Sequence, residues 1–221
     1  MVVSELEVNS AQNRAVKLEL QYLPCLEYFT CILQHEQVLI DIEERYVKQT
    51  FRNRCSVLTT NKIDVLTVPV KGYEAASPTK DILIDYNQEW IRRHLGCLKA
   101  AYGKSPFYEF YASELIDTYG KKPKFLVDLN YELLTICLRL VGIKKEIRYI
   151  LSGEREDDNG VFNAISLINN KKTQNAFNYY SPVAYYQTFG NGFVGNLSII
   201  DLIFNMGPEA KSVLLRSCES R

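Results

Sequence analysis

Arg45, Lys48, Arg52 and Arg54 place four cations within ten positions of a chain whose formal net charge is zero. Guanidinium groups grip phosphates and carboxylates through paired hydrogen bonds, and lysine adds a mobile point charge, so the chemistry such a row could do is to hold an anion. Read as a strand, "RYVKQTFRNRC" sets Lys48, Thr50, Arg52 and Arg54 on one face. The competing reading is a solvated edge that discourages strand-to-strand pairing. Just upstream, Asp41 closes an apolar run beside Glu43 and Glu44. An acid there can orient a ligand's hydroxyl or amine, or it can neutralise Arg45 or Lys48. His94 stands on a helical stripe with Trp90 and Leu98. At a cleft it would be a general base; on a core face it would be a buried, hydrogen-bonded ring. Cys25 opens a helix, where the dipole lowers a thiol's pKa, but no histidine is near it in sequence.

"GNGFVG" (190–195) matches the spacing of a dinucleotide-binding turn. Such a turn needs a helix, a further strand and an acid about 20 residues on, and the sequence beyond Gly195 reads as helices alone. What remains is a tight turn, with Asn196, or Ser198 with Asp201 three later, able to cap the next helix. The six cysteines form no CxxC pair and only two histidines are present, so no metal site is expected and the thiols are expected reduced. Balanced charge implies no bulk attraction to nucleic acid or an anionic membrane. The longest apolar runs are too short and punctuated to span a bilayer. Residues 1–14 read as a flexible polar leader without the apolar stretch of an export signal, and a cytoplasmic location is expected.

The elements that must position these groups begin with "AVKLELQYL", a strand closed by Pro24. A short helix follows through Leu26, Phe29 and Leu33, and then "QVLIDI", a nearly continuous apolar run of the kind covered on both faces. Strand, helix, strand in so few residues is a βαβ opening with parallel strands. Further strands are expected at 64–70, 81–85, 146–151 and 183–189. Between residues 87 and 142 three amphipathic helices are expected, the second capped by Ser105, the third ending at Gly142. Residues 152–180 read as a polar loop or excursion around a short apolar island, and two helices close the chain. The expected class is α/β: a Rossmann-like parallel-sheet opening followed by a largely helical middle and C-terminal part, one domain over 15–221.

Six blocks in order, "YLPCLEYF", "KQTFRNR", "LTVPV", Trp90 with His94, "AYGKSPFYEFY" and "NLSIIDLIFNMGPE", resemble the WbqC-like family of bacterial proteins. The resemblance implies an association with cell-surface polysaccharides such as O-antigen. It also implies a transferase that moves an acyl or aminoacyl group onto the amine of a nucleotide-linked amino sugar. It points to Tyr22 and Pro24 in the first turn, to Lys48, Asn53 and Arg54 in the basic stretch, to His94, and to Asn196, Ser198 and Asp201. In that reading Lys48, Arg52, Asn53 and Arg54 hold phosphate, His94 or Asp41 takes the amine's proton, and Tyr22, Asn196, Ser198 and Asp201 meet the substrate. The donor stays open between ATP and an acyl donor. The chain departs from the family pattern at Glu19-Leu20 and Glu27, where Gln-Pro and Gly are usual, and it lacks the paired histidines of nucleotidyltransferases. The competing class is a non-catalytic sugar- or partner-binding protein using the aromatic-rich stretches "YEFY" and "NYYSPVAYY".

Overall fold

The computed structural model describes residues 15–60, 62–150, 160–170, 177–190 and 192–219. The expected leader, 1–14, lies outside the described residues, as do 152–159 and 171–176 of the expected excursion and residue 151 of the expected strand before it. The chain opens with β1 (Ala15–Leu18), α1 (Leu26–Gln34) and β2 (Gln37–Asp41). Next come the hairpin β3 (Arg54–Leu58) and β4 (Ile63–Thr67), then the short pair β5 (Val70–Lys71) and β6 (Leu83–Ile84). The helical middle is α2 (Trp90–Tyr102), α3 (Tyr108–Gly120) and α4 (Leu126–Val141). After β7 (Ile147–Ile150) and β8 (Val161–Asn163), α5 (Ile199–Met206) and α6 (Ala210–Glu219) end the chain.

β1 and β2 lie at the centre of a four-stranded parallel sheet ordered β7-β2-β1-β8. The central position explains the apolar run read from sequence: Val16, Leu18, Val38 and Ile40 are completely buried. The chain moves outward from β1 through β2 to β7, then returns to place β8 on the other side of β1. The reversal makes a topological switch between β1 and β8, and in open α/β sheets ligands sit outside the carboxyl ends of the strands at such a point. The protein is therefore an α/β fold whose parallel sheet is backed by helices.

The helices follow their apolar stripes. α2 buries Trp90, His94, Leu98 and Ala101, and α4 buries Leu126, Leu129, Leu133 and Cys137. Gly142 ends α4 at φ 76°, where a side chain would be strained, and its N–H donates to the carbonyls of Leu138 and Arg139. α5 is buried on every side from Ile199 to Asn205, which makes it the axis of the helical layer.

Four local expectations are corrected. Residues 48–53 form turns and the strand begins only at Arg54, so Lys48, Arg52 and Arg54 do not share a strand face. Val161–Asn163, inside the expected excursion, is the fourth strand of the sheet. Residues 183–189 are not a strand but an irregular segment tied down by side chains. Ser105 does not cap α3, which starts at Tyr108; its hydroxyl instead meets that of Thr188 at 2.8 Å.

Candidate functional site

The carboxyl ends of β1 and β2 carry Glu19 and Asp41, and the turns after β2 fold back over them. Arg52 is 2% exposed and donates from Nε and Nη2 to the two oxygens of Glu44, both at 2.8 Å. Its Nη2 also donates to the Ser166 hydroxyl at 3.0 Å, which ties the turns after β2 to the segment after β8. Burial alone would lower the Arg52 pKa, but the paired bonds to Glu44 and the charge of Glu19 outweigh it and leave the guanidinium firmly protonated. Glu19, also 2% exposed, accepts from Gln21 Nε2 at 3.0 Å and from the Ser166 backbone N–H at 2.9 Å. Asn130 holds the Arg52 carbonyl from below at 2.8 Å, and Asn53 Nδ2 donates to the Val68 carbonyl at 2.9 Å. Asp41 Oδ1 accepts from the N–H groups of Glu43 and Glu44 at 2.9 and 3.0 Å, so its carboxylate holds the turn that delivers Glu44.

Two donors beside this pair have nothing to bond. The Tyr46 hydroxyl and the Arg54 Nε are buried and find no partner among the described residues. The Tyr46 ring lies within electrostatic reach of both Arg52 and Arg54. A buried unpaired donor costs about 1–3 kcal/mol, and an acceptor arriving from outside recovers it. Lys48 is exposed on the same turns.

Next to this group runs a buried hydrogen-bond chain. His94 Nε2 lies 3.2 Å from the Thr67 carbonyl, which can only accept, so Nε2 carries the proton and Nδ1 is an acceptor. The Tyr22 hydroxyl, 2.9 Å away, donates to Nδ1, and Tyr119 donates to Tyr22 at 2.6 Å. Trp90 packs edge-on against His94 at 5.0 Å. Burial, with the nearby charge of Arg93, lowers the His94 pKa to about 4 against the opposing pull of Thr67 and Asp64. The ring is neutral at pH 7 with both nitrogens engaged. Through Tyr22 and Thr67 it fixes the first turn and β4; Thr67 is the register partner of Arg54.

In many α/β folds the helix after β1 offers its N-terminal N–H groups to phosphate. Here they are taken. The Leu26 N–H donates to the Leu197 carbonyl at 3.0 Å and the Glu27 N–H to Asn196 Oδ1 at 2.8 Å. The Ser198 hydroxyl donates to the carbonyl of Leu23, a buried residue in the left-handed region at φ 41°. The segment 196–198 is thus zipped onto the Tyr-Leu-Pro turn. Asp201, 1% exposed, accepts from Tyr185 at 2.6 Å and from Gln187 at 2.9 Å, which fastens residues 185–187 to α5. Burial raises its pKa and these donors partly offset the rise. Cys25 is buried and its thiol is pushed up to about 12 by burial and the charge of Glu27, so it is an inert core group.

The structure therefore gathers Lys48, Arg52, Asn53 and Arg54 at the carboxyl edge, with Tyr22 and His94 in the layer behind. Asp41 is at the same edge, bonded into its turn. Asn196, Ser198 and Asp201 lie at the junction of α1 and α5. Sequence reasoning missed Glu19, Gln21, Glu44, Tyr46 and Ser166. The one signal available was Glu19, a lone acid inside the apolar run "LELQYL". Within the aromatic-rich stretches Tyr108 and Tyr180 are buried, whereas Phe110 and Tyr186 are 72% and 60% exposed. No group of metal-ligating side chains occurs among the described residues, and no helix among them is long and apolar enough to cross a membrane.

A model of the WbqC-like protein family matches residues 21–184 and 166–213. The chain belongs to the WbqC-like protein family. The matched span runs from the residue before the Tyr-Leu-Pro turn into α6, so this WbqC-like chain carries within it both halves of the zipped turn, the basic turns and the His94 chain. Uncharacterized protein Rv1507c of Mycobacterium tuberculosis is 25% identical over 224 residues, covering 87% of this chain and 94% of its own. No solved structure matches.

Proposed function

We propose that the protein binds a nucleotide-linked amino sugar at the carboxyl edge of its sheet and transfers an acyl or aminoacyl group to the sugar's amine, in the synthesis of a cell-surface polysaccharide. The observation that carries the reading is the pair of unpartnered buried donors, Tyr46 Oη and Arg54 Nε, beside the topological switch. Two donors call for an acceptor-rich guest, and a phosphate oxygen bonded to a guanidinium contributes about 1.5–3 kcal/mol. Because the α1 N-terminus is already capped, the arginine side chain and Lys48 supply the anion contacts that helix N–H groups supply elsewhere.

In the transfer, the amine nitrogen forms a bond to the acyl carbon, the bond from that carbon to its leaving group breaks, and the proton lost by the amine departs on the leaving group. The donor is an activated acyl group, delivered by an acyl carrier or formed with ATP. His94 and Asp41 enter as positioning groups: His94 holds Tyr22 and Thr67, and Asp41 shapes the turn that brings Glu44 to Arg52. A thermal-shift screen with UDP-glucose, ATP and acetyl-CoA tests the reading. A rise in midpoint with the nucleotide sugar that disappears in Arg54→Ala is expected. No rise with any nucleotide, or the same rise in the variant, overturns it.

A further inference from the structure

Beside the two unpartnered donors, the same edge holds an unbalanced set of acceptors. Arg52 faces two buried carboxylates, Glu44 and Glu19, and its paired bonds are spent on Glu44. Among the described residues Glu19 accepts hydrogen bonds from neutral donors only, the Gln21 amide and the Ser166 backbone N–H. Two buried carboxylates sharing one guanidinium leave a net negative charge, which is costly, and a positive group arriving beside Glu19 removes the cost.

A second observation points the same way. The Gln21 nitrogen donates to Glu19 and to the Ile168 carbonyl at 3.2 Å, which fixes the amide's orientation and turns Oε1 away from both. That Oε1 belongs to a completely buried side chain and finds no donor among the described residues. An acceptor without a donor among the described residues, next to a carboxylate that shares the one guanidinium of Arg52 with Glu44, calls for a guest that is positive and donor-rich. An ammonium group has both properties and a hydroxyl has one.

From this geometry we propose that Glu19 and Gln21 form the subsite for the protonated amine of the ligand, against the segment Ala164–Ile168 that bonds both of them. The proposal rests on the anion site described above and adds the other end of the ligand: phosphate toward Arg54 and Tyr46, ammonium toward Glu19 and Gln21, with the Arg52–Glu44 pair between them. Ser166 holds the place of the guest. Its N–H occupies Glu19 Oε2 and its hydroxyl occupies Arg52, while its backbone sits in the left-handed region at φ 61°, an uncommon state for serine. Entry of an ammonium displaces that N–H and lets Ser166 relax.

The test compares UDP-glucosamine, which carries a free amine, with UDP-glucose, which carries a hydroxyl at the same carbon, by calorimetric titration. Wild type at about pH 6 should favour the amine by about tenfold or more, the scale of a charge-assisted hydrogen bond. Glu19→Gln, which keeps the shape and one of the two accepted bonds but removes the charge, should bring the two sugars within about twofold. If that variant does not fold, the wild type decides alone. Its preference should collapse at about pH 9, above the pH near 8 at which an ordinary amine of this kind loses its proton. Equal binding of the two sugars by wild type, or a preference that survives Glu19→Gln or the higher pH, overturns the inference while leaving the anion site standing. Failure of both sugars to bind overturns both.

Discussion

The buried imidazole of His94 should make the stability of the protein fall steeply in mild acid. His94 is 1% exposed, donates to the Thr67 carbonyl and accepts from Tyr22, and its pKa is lowered to about 4. In the unfolded chain an ordinary histidine titrates at about 6.5. Between those two values the unfolded state binds a proton that the folded state refuses, so stability is full above about pH 6.5 and is lost as the pH falls toward 4. The difference of about 2.5 units, at about 1.4 kcal/mol per unit, sets a ceiling of about 3 kcal/mol, of which about 2 kcal/mol is lost between pH 7 and pH 5. Urea unfolding of wild type and His94→Gln at both pH values isolates the effect, because every other titrating group is common to the two proteins. The variant should start less stable at pH 7, and the gap should narrow by about 2 kcal/mol at pH 5. Parallel losses in the two proteins would show that His94 takes up a proton in the folded state as readily as in the unfolded one. The enforced neutral tautomer, and with it the Tyr119–Tyr22–His94–Thr67 chain as described, would then be wrong.

Other perturbations read other parts of the fold. Arg52→Ala leaves Glu44 and Glu19 buried without a cation and should cost about 3–5 kcal/mol in chemical denaturation, with part recovered by adding Glu44→Gln; a loss below about 1 kcal/mol would refute the buried pair. Asn196→Gly should lose about 1 kcal/mol with the bond to the Glu27 N–H. Asn196→Ala should lose about 1 kcal/mol more, because the residue sits at φ 53°, and equal losses would argue against that conformation. Iodoacetamide at about pH 8 should leave Cys25 unmodified in the folded protein and label it after unfolding, as mass mapping can show; rapid labelling in the folded state would contradict its burial.

The sheet's centre and the helical middle were legible because burial there imposes patterns that local sequence carries. β1 and β2 are covered on both faces and read as apolar runs, and α2 and α4 show the stripes they bury. β8 was not legible: three residues, none fully buried, at the start of a short apolar island within polar sequence, take their strand conformation from pairing with β1. The basic stretch misled because alternation also occurs by chance in turns. What decides the fate of Arg52 is Glu44, eight residues before it and delivered by the Asp41 turn. The acceptor end of the site was invisible for the same reason, since Glu19 meets Ser166 across 147 residues. Asn196 and Ser198 were recognisable as capping types, but the helix that Asn196 caps is α1, far from it in sequence.

The most direct measurement is calorimetric titration of UDP-glucose into wild type, Arg54→Ala and Lys144→Ala. Lys144 lies with Arg139 and Lys145 on a groove of about 330 Å³ between α4 and β7, away from the carboxyl edge, and so controls for cation loss in general. The expected result is binding by wild type and Lys144→Ala alike, weakened about tenfold or more in a stably folded Arg54→Ala. Undiminished binding by Arg54→Ala, or binding that fails with Lys144→Ala instead, would contradict an anion site at the switch between β1 and β8.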